Sequence, residues 1–189
     1  MVRAQKMANS VKSAYALLKR REASQDKLLV LGREIVRGCA FSIRSIHAKE
    51  MPEAEAETAK VRKLVVEARK ADEGLEHIVM QAYQEYCEVR ILLAIVGEKE
   101  IPSIPDLGVP LEAYFGGLMD VVGELRREML EELKRGNRKA AAARFDAMNA
   151  IYEETLPLKF SNSILPGFRK KQDVARIQLD SARSELLRK

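Results

Sequence analysis

Apolar residues return every three or four positions along almost the whole chain, and nowhere do they alternate through a run rich in β-branched and aromatic side chains. The pattern predicts an all-α protein. Its first helix runs from residue 1 or 2 to about 49, with no proline to interrupt it. Pro52 fits the first turn of a second helix, whose start carries Glu53, Glu55 and Glu57 and which continues to about 72. Gly74 predicts a kink or short break, followed by a strongly apolar helix over 75–96 that Gly97 closes. Pro102, Pro105 and Gly108 make 98–109 the principal loop. A helix from 110 to about 135 stops at Gly136, and Asn137 caps the next, which extends to about 156, where Pro157 disrupts it. Residues 159–165 read as irregular, and Pro166 opens a final helix that reaches the C-terminus. These elements make a six- to seven-helix antiparallel bundle, a single domain over 1–189 with no internal repeat.

Two of the predicted helices carry carboxylates inside otherwise apolar stretches. In the third, Gln81, Gln84, Glu85 and Glu88 form one narrow polar stripe between Tyr83, Tyr86, Cys87 and Val89, and the stripe ends abruptly at Ile91. In the fourth, Gly117, Asp120, Glu124, Arg127 and Glu131 share a face, while Leu118, Met119, Val121, Val122 and Leu125 cover most of the rest. The ordinary explanation of such a stripe is a solvated face. Carboxylates set beside a core, however, require a cation, a hydrogen-bond network or access to water. In the first helix Glu34 is the only acid between Lys27 and Arg44, and its plain reading is an intrahelical pair with Arg37.

Composition narrows the chemistry. The chain has 189 residues, 47% of them hydrophobic and 32% charged, enough to bury a core without disulfide or structural metal. Its two cysteines, Cys39 and Cys87, fall in apolar helical patterns and read as buried free thiols of a reducing cytoplasm. Basic residues punctuate the first twenty positions, and the longest apolar run, 91–96, is far too short to span a bilayer. A soluble, cytoplasmic protein with no membrane partner is expected. The net charge of +5 is unevenly spread: residues 1–49 hold eleven basic against three acidic side chains, whereas 50–100 hold seven against twelve. Basic ends and an acidic middle suit a polyanion at the terminal helices and something cationic or catalytic in between.

Five carboxylates on three helices, Glu34, Glu85, Glu88, Asp120 and Glu124, could gather around one divalent ion or a pair. Hard oxygen donors of this kind suit Mg²⁺ or Mn²⁺ rather than zinc. Neither His47 nor His77 completes a Glu-x-x-His pattern, and no catalytic triad, phosphate-binding glycine loop or cysteine zinc pair occurs. The basic residues of the first helix, Lys27, Arg37 and Arg44 among them, could track phosphates. With aromatics at 5% and no tryptophan, recognition by backbone charge and duplex shape fits better than base stacking.

Three segments carry a family resemblance: Gly-Arg-Glu-Ile-Val-Arg at 32–37, Gln-Glu-Tyr-Cys-Glu at 84–88, and Tyr-Phe-Gly-Gly-Leu-Met-Asp-Val-Val-Gly-Glu-Leu-Arg-Arg at 114–127. In sequence, order and separation they resemble the translin family, as does the region holding Phe145, Tyr152 and the last helix. Glu34, Glu124 and Arg127 look common to both branches of that family. Glu85, Glu88 and Asp120 look like the translin-associated factor X branch, whose members act as Mg²⁺-dependent endoribonucleases; translin itself is mainly apolar at those positions. The resemblance implies a closed oligomeric shell, an octamer being the expected number, with RNA and active sites facing its interior. A narrow polar stripe is then a face turned towards a water-filled chamber. Factor X works beside translin, so a translin-like partner subunit stands as an alternative to a homo-oligomer.

The leading expectation is therefore an endoribonuclease acting on short or structured RNA. Glu85, Glu88 and Asp120 are its catalytic, Mg²⁺-binding residues, Glu34 and Glu124 complete the metal set, and Lys27, Arg37, Arg44 and Arg127 position RNA. A translin-like shell that binds RNA or single-stranded DNA without cutting it is the alternative, and a purely structural oligomerisation module is a third reading.

Overall fold

A computed structural model describes residues 2–188, so Met1 and Lys189, the outermost limits expected for the first and last helices, lie outside the described residues. Seven α-helices and one 3-10 turn account for the architecture, and no strand occurs among the described residues. Helix α1 spans Val2–Ala48, α2 Met51–Ala71, α3 Met80–Val96, α4 Ile104–Leu107, α5 Leu111–Lys134, α6 Arg138–Thr155 and α7 Phe168–Leu187. The all-α expectation and most of the helix limits hold. No helix among the described residues is long and apolar enough to cross a membrane.

Helix α1 folds back on α2 through only two residues. Lys49 takes the left-handed conformation (φ 65°), and Glu50 N donates to Ser45 O at 2.8 Å, so the turn satisfies a carbonyl that the helix end leaves free. Pro52 lies in the first turn of α2, as its fixed φ favours. Two departures from the expected elements follow. The apolar helix expected to start at 75 starts at Met80, because Arg21 and Ser24 of α1 hold the preceding connection through Gly74 O (3.2 Å) and Ala71 O (2.6 Å). Leu75 and Ile78 pack on the core from a 3-10 turn, Glu76–Ile78, instead of from α3. The loop expected over 98–109 contains the short helix α4, opened by a capping box between Ser103 and Asp106 and closed by Gly108 at φ 62°.

Helix α5 is the hub of the bundle: it packs against α3, α6 and α7, while α1 packs against α2 and α3. The core of the bundle holds Tyr83, Tyr86, Val89 and Leu92 of α3 and Val121, Val122 and Leu125 of α5, all essentially inaccessible to solvent. Each such side chain contributes about 1.5–3 kcal/mol relative to its exposed state. By contrast, residues 4–20 of α1 are exposed on every side, with Met7, Val11, Tyr15 and Leu18 more than 60% accessible. At 1.5 Å per residue that free portion reaches roughly 25 Å past the bundle.

Candidate active site

Gly117 decides how near the two acidic helices come. A Cβ there would lie 2.4 Å from Gln84 O and 2.9 Å from Glu88 N, both backbone atoms of α3, so only glycine permits the approach. Asp120 stands one turn beyond Gly117 on the same face of α5 and is thereby brought beside α3. Gln84 Nε2 donates to Asp120 Oδ2 at 2.7 Å. The polar stripes of the two helices thus meet each other at one seam.

Glu88 sits deepest in this cluster. Burial, followed by the charges of Asp120, Glu124 and Glu85, pushes its pKa up to about 8, with Lys171 acting in the opposite sense. A carboxyl held there stays largely protonated at neutral pH and can keep or release a proton in the working range. Glu85 is nearer the surface, where its Oε1 accepts from Gln81 Nε2 at 3.1 Å. Glu88 and Asp120 open into a cavity of about 570 Å³ whose opposite wall, from α7, carries Lys170, Lys171 and Gln178. The lysine side chain at 171 reaches across to pair with Asp120 Oδ1. One cavity therefore has an acidic and a basic wall, which suits a phosphate approached by a cation.

A second charged network fixes Glu124 from behind. His47, near the end of α1, donates from Nε2 to Glu124 Oε2 at 2.5 Å and from Nδ1 to Glu128 Oε1 at 2.6 Å. Neutral imidazole has a single donor, so two carboxylate acceptors require the imidazolium. Burial pulls the His47 pKa down, but the hydrogen bonds and charges of Glu124 and Glu128 outweigh it and hold it above 6.5. Lys49 pairs with Glu128 Oε2 and, at 2.8 Å, with Glu132. Desolvation would raise the Glu128 pKa, yet His47 and Lys49 hold it below the usual carboxylate value although no part of its side chain reaches solvent. Sequence reasoning tested His47 only against a Glu-x-x-His pattern and passed over this role. The available signal was the spacing of Glu124 and Glu128, one helical turn apart, which lets one ring lie between two carboxylates.

The remaining sequence candidates are dispersed. Glu34, expected to complete the metal set, does not join this cluster: it lines a groove between α1 and α2 together with Arg37, Arg44, Glu57, Lys60 and Lys63. Its helix turns it to that groove because Ile35, Cys39 and Ser42 take the core-facing side of α1. Arg37 and Arg44 therefore do share a basic surface, to which α2 adds Lys60 and Lys63. Lys27 pairs with Glu67 of α2 at 2.8 Å, both about half exposed, and Arg127 lies 3.8 Å from Glu124.

Among the described residues no three His, Cys, Asp or Glu side chains converge as a ready ligand set. The reason is visible in the hydrogen bonds: Lys171 and Gln84 take both oxygens of Asp120, Gln81 takes Glu85, and His47 takes Glu124. As donors the residues nevertheless fit a hard divalent cation. Glu88 and Asp120 line the cavity, Glu85 and Glu124 lie near enough for their charge to act on Glu88, and Glu88 bears the excess negative field that such an ion relieves.

No protein-family profile matches the chain. It is 29% identical over 176 residues to an uncharacterised protein of Methanocaldococcus jannaschii, covering 90% of this chain and 78% of that one. AfC3PO, solved as a crystal structure and as a duplex RNA complex, is 32% identical, with TM-scores of 0.87 and 0.86 and coverage of 94% of this chain and 95% of that one. The structure of apo-NeC3PO has the same fold at a TM-score of 0.83 and 21% identity, over 95% of both chains. Identity at that level along nearly the full length of AfC3PO, together with the shared seven-helix architecture, makes this chain a member of the translin family, to which the C3PO proteins belong.

Proposed function

We propose that the chain is an RNA-binding subunit of a translin-type oligomer and that the carboxylate cluster between α3 and α5 cleaves RNA phosphodiesters with a divalent cation. The observation that carries the cleavage reading is Glu88, within the field of Asp120, Glu124 and Glu85, opening together with Asp120 into a cavity whose far wall carries Lys170 and Lys171. RNA as the ligand is supported by the relationship to AfC3PO, which is solved with duplex RNA.

When bound, Mg²⁺ or Mn²⁺ supplies Lewis acidity towards a phosphodiester and eases ionisation of water. Glu85, Glu88 and Asp120 hold the ion, with Glu124 alongside. The groove between α1 and α2, through Arg37, Arg44, Lys60 and Lys63, gives the RNA backbone a positive track. Lys27, beside Glu67, and Arg127, beside Glu124, add positive charge elsewhere on the surface. Without the ion Glu88 keeps a proton near neutrality, so holding the ion would release that proton. His47 holds Glu124 by its Oε2.

Assembly is supported by the apolar stripe on the free part of α1, which in a monomer would stay in water. We take the occupant of that stripe to be a second copy of the chain, and an octamer to be the closed form. The branch assignment to translin-associated factor X rests on Glu85, Glu88 and Asp120 and stands or falls with cleavage. A cytoplasmic site of action belongs to the same reading, and the two buried free thiols are in keeping with it.

Labelled duplex and single-stranded RNA, incubated with the protein and either Mg²⁺ or chelator, test the proposal. Metal-dependent cleavage is expected, lost in the Glu85→Gln, Glu88→Gln, Asp120→Asn triple variant; full cleavage by that variant would sink the site. One observation favours a second reading. With Lys171 and Gln84 on Asp120, that carboxylate is neutralised without metal, as a binding protein without cleavage would have it. RNA bound but uncut by the unmutated protein would select that reading.

A further inference from the structure

Within the cluster Asp120 alone has both oxygens committed to other side chains: Oδ1 to the Lys171 ammonium, Oδ2 to the Gln84 amide. Lys171 comes from the first turns of α7, fifty-one residues further along the chain, and both members of the pair keep about 30% of their side-chain exposure. The pair therefore lies open to the cavity. It is not what docks α7, because Phe168, Ala175, Leu179 and Ala182 already bury that helix and Arg126 pairs with Glu185 further along. What the ammonium faces is an acidic group: Asp120 directly, with Glu88 beside it on the same cavity wall.

We propose that Lys171 competes with the divalent cation for Asp120: the ammonium neutralises Asp120 in the metal-free chain, and the arriving ion displaces it into the cavity, where it pairs with an RNA phosphate. This rests on the divalent-cation reading of the cluster. Two cations cannot share one carboxylate oxygen at contact distance without strong mutual repulsion. A lysine suits the exchange because its charge is a point on a flexible four-carbon stem, free to swing to a new anion without a fixed fork geometry. The new anion is at hand, since Lys170 flanks the same cavity and makes it attractive to phosphate. Phosphate that draws Lys171 away vacates Asp120 for metal, and metal that takes Asp120 presents Lys171 to phosphate. The two ligands thus reinforce each other, reciprocally, through one side chain.

Mn²⁺ titrated alone into the RNA-free, full-length protein, with unbound ion read by electron paramagnetic resonance, tests the competition. Lys171→Met should bind Mn²⁺ roughly tenfold more tightly than the unmutated chain, the scale expected when a half-buried ion pair no longer has to be broken. Lys170→Met removes the same charge from the same cavity without touching Asp120 and should change affinity less than about threefold. Lys171→Gln repeats the measurement with a polar side chain should the methionine variant fail to fold. Lys171 variants that bind no more tightly than Lys170→Met overturn the competition while leaving the metal site standing. Equal Mn²⁺ affinity of Asp120→Asn and the unmutated chain overturns the metal reading, and the competition with it.

Discussion

Glu88 is the residue on which burial and like charge act together, and its titration gives a stability signature. With the folded pKa near 8 against an ordinary 4.5, the folded chain keeps a proton between those values that the unfolded chain has released. Stability is therefore highest on this account below about pH 4.5, falls as pH rises across the window, and has lost the contribution above about 8. Glutamine at 88 does not titrate. In chelator, Glu88→Gln should melt close to the unmutated chain near pH 5 and several degrees higher near pH 9, a difference of a few kcal/mol at most; the same difference at both pH values would refute the buried, raised carboxyl. His47→Ala acts in the other direction. It leaves Glu128 buried with Lys49 as its remaining cation, and should cost about 3 kcal/mol by denaturant unfolding. The stripes holding Glu85, Glu88, Asp120 and Glu124 could be read from helical spacing, because neighbours on a face are set by periodicity alone. Spacing also allowed one ring between Glu124 and Glu128, but not that His47 would supply it or that Lys171 would reach Asp120, since these meet across 77 and 51 residues of chain. The place of Glu34 was illegible for a related reason: it shares a helix with core residues, yet nothing local says which groove its own face will meet.

At the scale of elements, the α3–α5 seam does for the site what no single acid can. Its closeness depends on Gly117: Gly117→Ala would set a Cβ 2.4 Å from Gln84 O and 2.7 Å from Cys87 Cβ. Neither is the flexible end of a long side chain, so the helices must separate. We expect a loss of about 1–3 kcal/mol in stability, as for overpacked cores. Any cleavage activity should fall further than that loss explains, since Glu88 and Asp120 lie on opposite sides of the seam. Unfolding and RNA cleavage measured on one preparation check both, and activity unchanged in a folded Gly117→Ala would show that the seam spacing does not matter. The helices themselves were legible wherever apolar periodicity ran uninterrupted between proline, glycine or Asn137. The misjudged start of α3 came from a tertiary cause, the grip of Arg21 and Ser24 on the preceding turn, which propensity does not register. The short α4 was different. Its Ser-x-x-Asp box and the glycine after it were present in the sequence but masked by two prolines that favoured a loop.

At the scale of the molecule, the free part of α1 shows that the isolated chain is incomplete. Met7, Val11, Tyr15 and Leu18 recur at steps of four, four and three, which keeps them within one face of a straight helix, and each is more than 60% exposed. An apolar stripe of this length, on a helix that the chain's own bundle does not cover, stays in water only at a cost that association removes. Lys6, Lys12, Lys19 and Arg20 flank it, so copies meeting there would also concentrate positive charge, as an RNA-holding assembly requires. Because no core residue of the bundle lies in this stretch, charge can be placed on it without disturbing the fold. The double variant Val11→Glu, Leu18→Glu should keep the helical circular dichroism and unfolding midpoint of the bundle. In light scattering it should drop from a multiple of the 21.3 kDa chain mass to a smaller species. RNA affinity should fall at least tenfold with it, because a linked set of basic grooves becomes single ones and the gain from simultaneous contacts is lost. An unmutated protein that already runs as a monomer, or a double variant that keeps the full assembled mass, would move the assembly surface away from α1.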